Sequence, residues 1–158
     1  MALTTIYCID TSSIFEWFIR RYPPSILPSF PDRLDALIAA GRLRAPKIVF
    51  DEVRPGDDCH LWCKSQTQLF VEESQAVQRI VRHLMATHHN SAKPLKGING
   101  ADPFVIAMAK DGEANWTVVS DEHAGSAESR KIPYICNYEN VRCITFQQMM
   151  VEEGWQFR

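Results

Sequence analysis

The amino-acid sequence predicts an α/β fold, a three-layer α/β/α sandwich with a mostly parallel central sheet. Three observations carry that expectation. Short apolar, β-branched runs such as Ile6-Tyr7-Cys8-Ile9 and Trp116-Thr117-Val118-Val119 read as buried strands. Segments with apolar residues at helical spacing alternate with those runs. Acids stand where the elements end, at Asp10, Glu52, Asp102, Asp121 and Glu122.

Size and charge narrow the classes. At 158 residues the chain fits a single domain, 1–158, and its 46% hydrophobic content builds a substantial core rather than a disordered chain. The 17 basic and 19 acidic residues are mixed along the sequence, so the net charge of -2 announces no nucleic-acid partner. It does not exclude a nuclease, whose metal-holding acids and basic rim cancel in the sum. No stretch reaches the roughly 20 apolar residues of a membrane span, and the N-terminus lacks the basic-then-apolar order of a signal peptide. A cytoplasmic protein with no membrane partner is expected. Five cysteines, an odd number, fit reduced thiols in that compartment.

Taken in order, the run from Thr4 to Ile9 delivers Asp10 to a strand end, and Ser12 or Ser13 can cap a helix through Ile14-Phe15-Glu16-Trp17-Phe18-Ile19. Asp10 thus has two readings, a ligand-facing acid at the carboxyl end of a strand or a simple helix cap. Residues 22–31 hold four prolines and form a loop. Asp32 then caps a short amphipathic helix over 33–40, stopped by Gly41. Residues 42–46 read as a second strand. Residues 47–53 suit a strand by propensity, but Pro46 at a first helical position argues for a helix.

Asp57 or Asp58 caps a helix through Cys59-His60-Leu61-Trp62-Cys63-Lys64, with Trp62 packed inward. After Glu72-Glu73-Ser74, Val77, Ile80, Val81, Leu84 and Met85 mark the longest helix, which ends by Asn90. Residues 96–100 form a flexible loop, and Asp102-Pro103 supply a cap and a first-turn proline for the helix that follows. The strand at 116–120 brings Asp121-Glu122 to its carboxyl end. Apolar runs follow at 132–135 and 141–145, the second a last strand, and a helix from Gln147 to Glu153 closes the fold.

Carboxylates at element ends suit hard cations such as Mg²⁺ and Mn²⁺, which accept oxygen ligands and otherwise leave the acids repelling one another. Such ions polarise a phosphoryl oxygen and activate water. Here the sequence resembles the PIN-domain nucleases. Ile9-Asp10-Thr11-Ser12 is similar to their first-strand motif, Ile48-Val49-Phe50-Asp51-Glu52-Val53 to the helix with their second acid, and Ala101-Asp102-Pro103-Phe104-Val105-Ile106-Ala107 to their third motif. Val118-Val119-Ser120-Asp121-Glu122 resembles the fourth, and the tail through Trp155 resembles a bacterial PIN-like subfamily without established function. The resemblance runs nearly the whole length.

It implies a metal-dependent endoribonuclease acting on RNA. Asp10, Glu52, Asp102 and Asp121 would be catalytic, with Glu122 a further metal ligand, around one or two Mg²⁺ or Mn²⁺ ions. Thr11, Ser12 and Ser120 would support them. It also implies a toxin role with a cognate antitoxin partner. Spacing after Ser120 favours Glu122 as the fourth acid, while the shorter reach and commoner residue type favour Asp121, toward which the reading leans.

Blander readings accompany these. Asp102 suits a helix cap, Glu52 a surface acid, and Thr11, Ser12 and Ser120 simple caps. Cys59, Cys63 and His60 invite a zinc site, but the spacing leaves four ligands incomplete. Arg20, Arg21, Lys93, Lys96, Arg130 and Lys131 are solvated charges or a rim for RNA phosphates. Trp17, Phe18, Phe30 and Phe50 exceed what one small core needs, which suggests a homodimer through the first two helices. A non-catalytic binding module of the same fold is the competing functional class.

Overall fold

The computed structural model describes residues 4–90 and 98–157. Its centre is β1 (Ile6–Ile9), flanked by β2 (Leu43–Pro46) and β4 (Trp116–Val119), with β3 (Phe70–Val71) and β5 (Cys143–Ile144) at the edges. The order is β3-β2-β1-β4-β5 and every pairing is parallel. All five carboxyl ends therefore share one edge. The chain first builds outward from β1 to β2 and β3, then crosses back to add β4 and β5 on the other side. Connections leave β1 and β4 in opposite directions, which opens a crevice outside their carboxyl ends.

Alternation along β1 separates the two helical layers, because successive strand side chains point to opposite faces. The Cys8 thiol donates to the Val105 carbonyl in α6 (Asp102–Asp111), at 3.5 Å. The Tyr7 hydroxyl donates at 2.6 Å to Glu153, just past α8 (Phe146–Glu152). On the first face, α5 (Gln75–His88) and α7 (Ile132–Tyr138) pack against α6. On the second, aromatic rings interlock between a π-helical segment (Glu16–Arg21), α2 (Phe30–Ala39), α4 (Asp58–Ser65) and α8. Trp17 meets Phe30 at 5.2 Å, Trp62 at 5.3 Å and Phe146 at 6.1 Å.

Several expectations are refined. The first helix is α1 (Thr11–Phe15), which widens into the π-helical segment; Tyr22 N bonds back five residues to Trp17 O, and both Trp17 and Phe18 turn inward. The helix expected at 33–40 begins at Phe30, because Pro31 fits its first turn, and Asp32 lies inside that turn instead of capping it. Residues 47–53 resolve as helix: α3 (Lys47–Asp51) starts behind Pro46 and ends with Glu52 at its C-cap. β3, two residues long, is too short to show alternation and had no sequence signal. The apolar run at 132–135 is the start of α7, with Pro133 in its first turn.

The aromatic residues do fit one core. Trp17, Phe18 and Phe30 are buried and Phe50 is half-buried against it, so the packing argument for a homodimer does not hold. No helix among the described residues is long and apolar enough to cross a membrane.

Candidate metal centre

The sheet topology sets the site. The amide of Asp10 donates to Val119 O at 2.9 Å, which holds the end of β1 beside the end of β4. Asp10 occupies the N-cap position of α1, yet its side chain forms no capping hydrogen bond. Its Oδ2 instead accepts from Ser12 Oγ at 2.7 Å and Ser120 Oγ at 3.3 Å, and the residue is only 2% exposed. Asp102 lies in the first turn of α6 behind an Ala101 N-cap, again without a capping bond. Among the described residues its carboxylate forms no hydrogen bond or ion pair. The cap reading therefore does not explain Asp102; at Asp10 the Thr11 and Ser12 amides still act on the carboxylate beside the two hydroxyls.

Glu52 reaches into the same crevice from the end of α3. Its Oε2 accepts from Thr11 Oγ1 and its Oε1 from the Ala101 amide, both at 2.9 Å. This carboxylate ties the start of α1 to the start of α6. Gly100 makes that approach possible: its φ is +57°, and a Cβ there would stand 2.8 Å from Glu52 Oε1. Sequence reasoning took Gly100 for part of a flexible loop and missed both it and the Ala101 amide. A glycine two residues ahead of an acid that opens a helix was the available signal.

The two candidates for a fourth acid part company. Asp121 and Glu122 diverge, as consecutive residues leaving a strand should. Asp121 Oδ2 is held by Ser13 Oγ at 2.5 Å, on the side where Arg21 is its charged neighbour. Glu122 accepts from the Ile132 amide at 3.0 Å and acts electrostatically on both Asp10 and Asp102. Of the two, it is Glu122 whose charge acts on the other acids, whereas Asp121, toward which the sequence reading leans, is held by Ser13. Ser12 spans the two, donating to Asp10 and accepting from the Asp121 amide at 3.2 Å.

Proton affinities register the crowding. Burial pushes Asp102 up to about 8, with the charges of Glu122, Asp10 and Glu52 adding to it and Lys131 opposing. Burial also pushes Asp10 up to about 6, an effect that the Ser12 hydroxyl moderates and the Glu122 charge reinforces. Acids that cannot all ionise together mark a place where a cation is favourable. Among the described residues no three His, Cys, Asp or Glu side chains stand close enough to cage a metal ion by themselves. An ion held here would take only one or two carboxylates and fill the rest of its shell with water, as Mg²⁺ and Mn²⁺ can. Cys59 and Cys63 are buried, and the His60 ring stacks on Phe50 at 5.1 Å.

Of the basic residues, Arg20 and Arg21 pair with Glu16, and Arg130 bonds to the carbonyls of Ala127 and His89. Lys131 is the cation that acts on Asp102. Lys93 and Lys96 lie outside the described residues.

No curated protein matches the chain. A family model does match, over residues 7–157, and by that match the chain belongs to the family described as Domain of unknown function (DUF4411).

Proposed function

We propose that this protein is a metal-dependent endoribonuclease of PIN type. One observation carries the reading. Four carboxylates, Asp10, Glu52, Asp102 and Glu122, come from four different elements to the crevice at the carboxyl ends of β1 and β4, and two of them are held well above their ordinary proton affinity by burial and by one another. Stability alone does not favour such an arrangement.

In this reading Asp10 and Asp102 would hold one Mg²⁺ or Mn²⁺ ion, and Glu122 would help to hold a second. An ion there would supply a polarised phosphoryl oxygen and a more acidic water. Ser12 and Ser120 orient the Asp10 carboxylate, and Glu52 positions Thr11 and the first turn of α6. The overall change is hydrolysis: a water oxygen bonds to phosphorus, the bridging P–O bond breaks, and the departing oxygen gains a proton. Lys131, beside Asp102, meets a neighbouring phosphate.

The toxin role, with an antitoxin protein as its partner, is part of the same proposal and is supported by the resemblance alone. For a protein partner, Ile19 and Ile26 offer exposed apolar surface at and after the π-helical segment. The reading is tested by incubating purified protein with a mixed RNA pool and Mn²⁺. Cleavage that disappears with EDTA and in Asp10→Asn supports it. RNA left intact by protein that binds Mn²⁺ or RNA would favour a non-catalytic binding module.

A further inference from the structure

The segment that leaves β4 and carries Glu122 also lines a cavity, through Asp121. Neighbouring residues divide there. Ser12 and Glu122 go with Asp10 and Asp102, whereas Ser13 and Asp121 turn away as a pair. Asp121 lines a cleft of about 140 Å³ between the π-helical segment and the start of α8. Trp17, Tyr22 and Phe146 supply its apolar walls, and Glu16, Arg21 and Gln147 its polar ones. The cleft is well below the roughly 300 Å³ at which pockets take drug-sized ligands, and it suits one flat ring.

Its chemistry narrows the occupant. A free cation is disfavoured, because the second acid, Glu16, is engaged by Arg21 at 2.5 Å and by Arg20 at 3.5 Å. An anion would meet the Asp121 carboxylate. What remains is a neutral, planar group that donates hydrogen bonds. Ser13 occupies one oxygen of Asp121, and among the described residues nothing bonds to the other. Tyr22 gives a braced aromatic surface, stacked on Phe30 at 5.3 Å with the rings 19° apart. An acceptor beside a fixed aromatic ring recognises a nucleobase by stacking and by its amino group.

We propose that this cleft is a nucleobase subsite selecting bases with an exocyclic amino group, with Asp121 accepting from that group and Tyr22 stacking on the ring. The inference rests on the ribonuclease reading and deepens it. Asp121 and Glu122 are adjacent in the chain, so a base in the cleft lies near a phosphate at the acid cluster.

The test titrates AMP, CMP, GMP and UMP into Asp10→Asn protein by NMR, repeats this with Asp121→Asn added, and follows cleavage of the four homopolymers by the unaltered protein. The three amino-bearing nucleotides should bind about tenfold or more tighter than UMP, the range of one good base contact. Asp121→Asn should collapse or invert that ratio, since an amide can donate to a uracil carbonyl. Tyr22→Ala, which leaves the Ser13 contact untouched, should weaken all of the favoured nucleotides. Equal binding of all four, or a preference unmoved by Asp121→Asn, overturns the subsite. Homopolymers cleaved at equal rates alongside equal binding remove the subsite and leave the ribonuclease standing. A base preference with no RNA cleaved keeps the subsite and removes the ribonuclease.

Discussion

Tyr7 and Asp10 lie three residues apart on and just after the same strand, and the charged groups around them are organised in opposite ways. Around Tyr7 every acid has a partner. Arg42 bonds to both oxygens of Glu153, at 2.8 and 2.6 Å, Arg142 pairs with Glu152, and the Tyr7 hydroxyl donates to Glu153. Hydrogen bonding from Arg142 holds Glu152 below the usual carboxylate range. Burial alone would raise Glu153, but Arg42 and Tyr7 hold it low as well. Around Asp10 the acids face one another, and both Asp10 and Asp102 are pushed up. The paired region fastens the C-terminal helix to the sheet. The other gathers negative charge that protons relieve and that Lys131 only partly offsets.

The contrast breaks most visibly in stability. Arg42→Met leaves the half-buried Glu153 without its main partner and should cost about 2–4 kcal/mol in urea unfolding. Asp102→Asn removes a mutually repelled acid and should gain about 1–3 kcal/mol in EDTA. A large loss for Asp102→Asn would make that residue structural.

The pH dependence should differ in sign between the two regions. Asp10 and Asp102 have folded-state values near 6 and 8, above the ordinary 3.8. The folded protein then binds more protons than the unfolded chain. Their contribution is complete below about pH 4 and is lost as pH rises through about 6 and then about 8. Glu152 and Glu153, held low, contribute stability above their ordinary value of 4.5 and lose it as pH falls. Melting temperatures from pH 5 to 9 in EDTA should fall toward the alkaline side, and the double change Asp10→Asn with Asp102→Asn should flatten that fall.

A smaller effect sharpens the role of the Glu52 tie. Gly100→Ala places a methyl group against Glu52 Oε1 at a positive φ and should cost about 1–2 kcal/mol. Mn²⁺ affinity should drop about tenfold with it, as when a supporting contact to a metal site is lost. Glu52→Gln should cost less, because an amide oxygen still accepts from Ala101 N. Affinities from calorimetry that fall further for Glu52→Gln than for Gly100→Ala would make Glu52 a direct ligand.

How much of this was legible in the sequence follows from what each feature depends on. The layers were legible because β1, β4 and α5 carry strong local patterns: continuous apolar runs for the first two and a clean helical stripe for the third. β3 was not, since two residues hold no period. Asp10 and Asp102 could be placed at element ends from punctuation alone, by a strand stop and Pro103, whereas Pro46 pointed to a helix start and Glu52 lies at the other end of that helix, its C-cap. The choice between Asp121 and Glu122 could not. It turns on a hydroxyl 108 residues away, Ser13, that takes hold of Asp121, while the Glu122 charge acts on Asp10 and Asp102. Gly100 was equally hidden, because what leaves no room for a Cβ there is Glu52, brought in across 48 residues of chain.

The central claim, that the unpaired acids exist to hold a divalent cation, is tested most directly by titrating Mn²⁺ into the metal-free protein at about pH 8 and following the free ion by electron paramagnetic resonance. The account predicts saturable binding that is lost in Asp10→Asn and in Asp102→Asn and retained in Asp121→Asn. Binding that survives both of the first two changes, or no saturable binding in the unaltered protein, would contradict it.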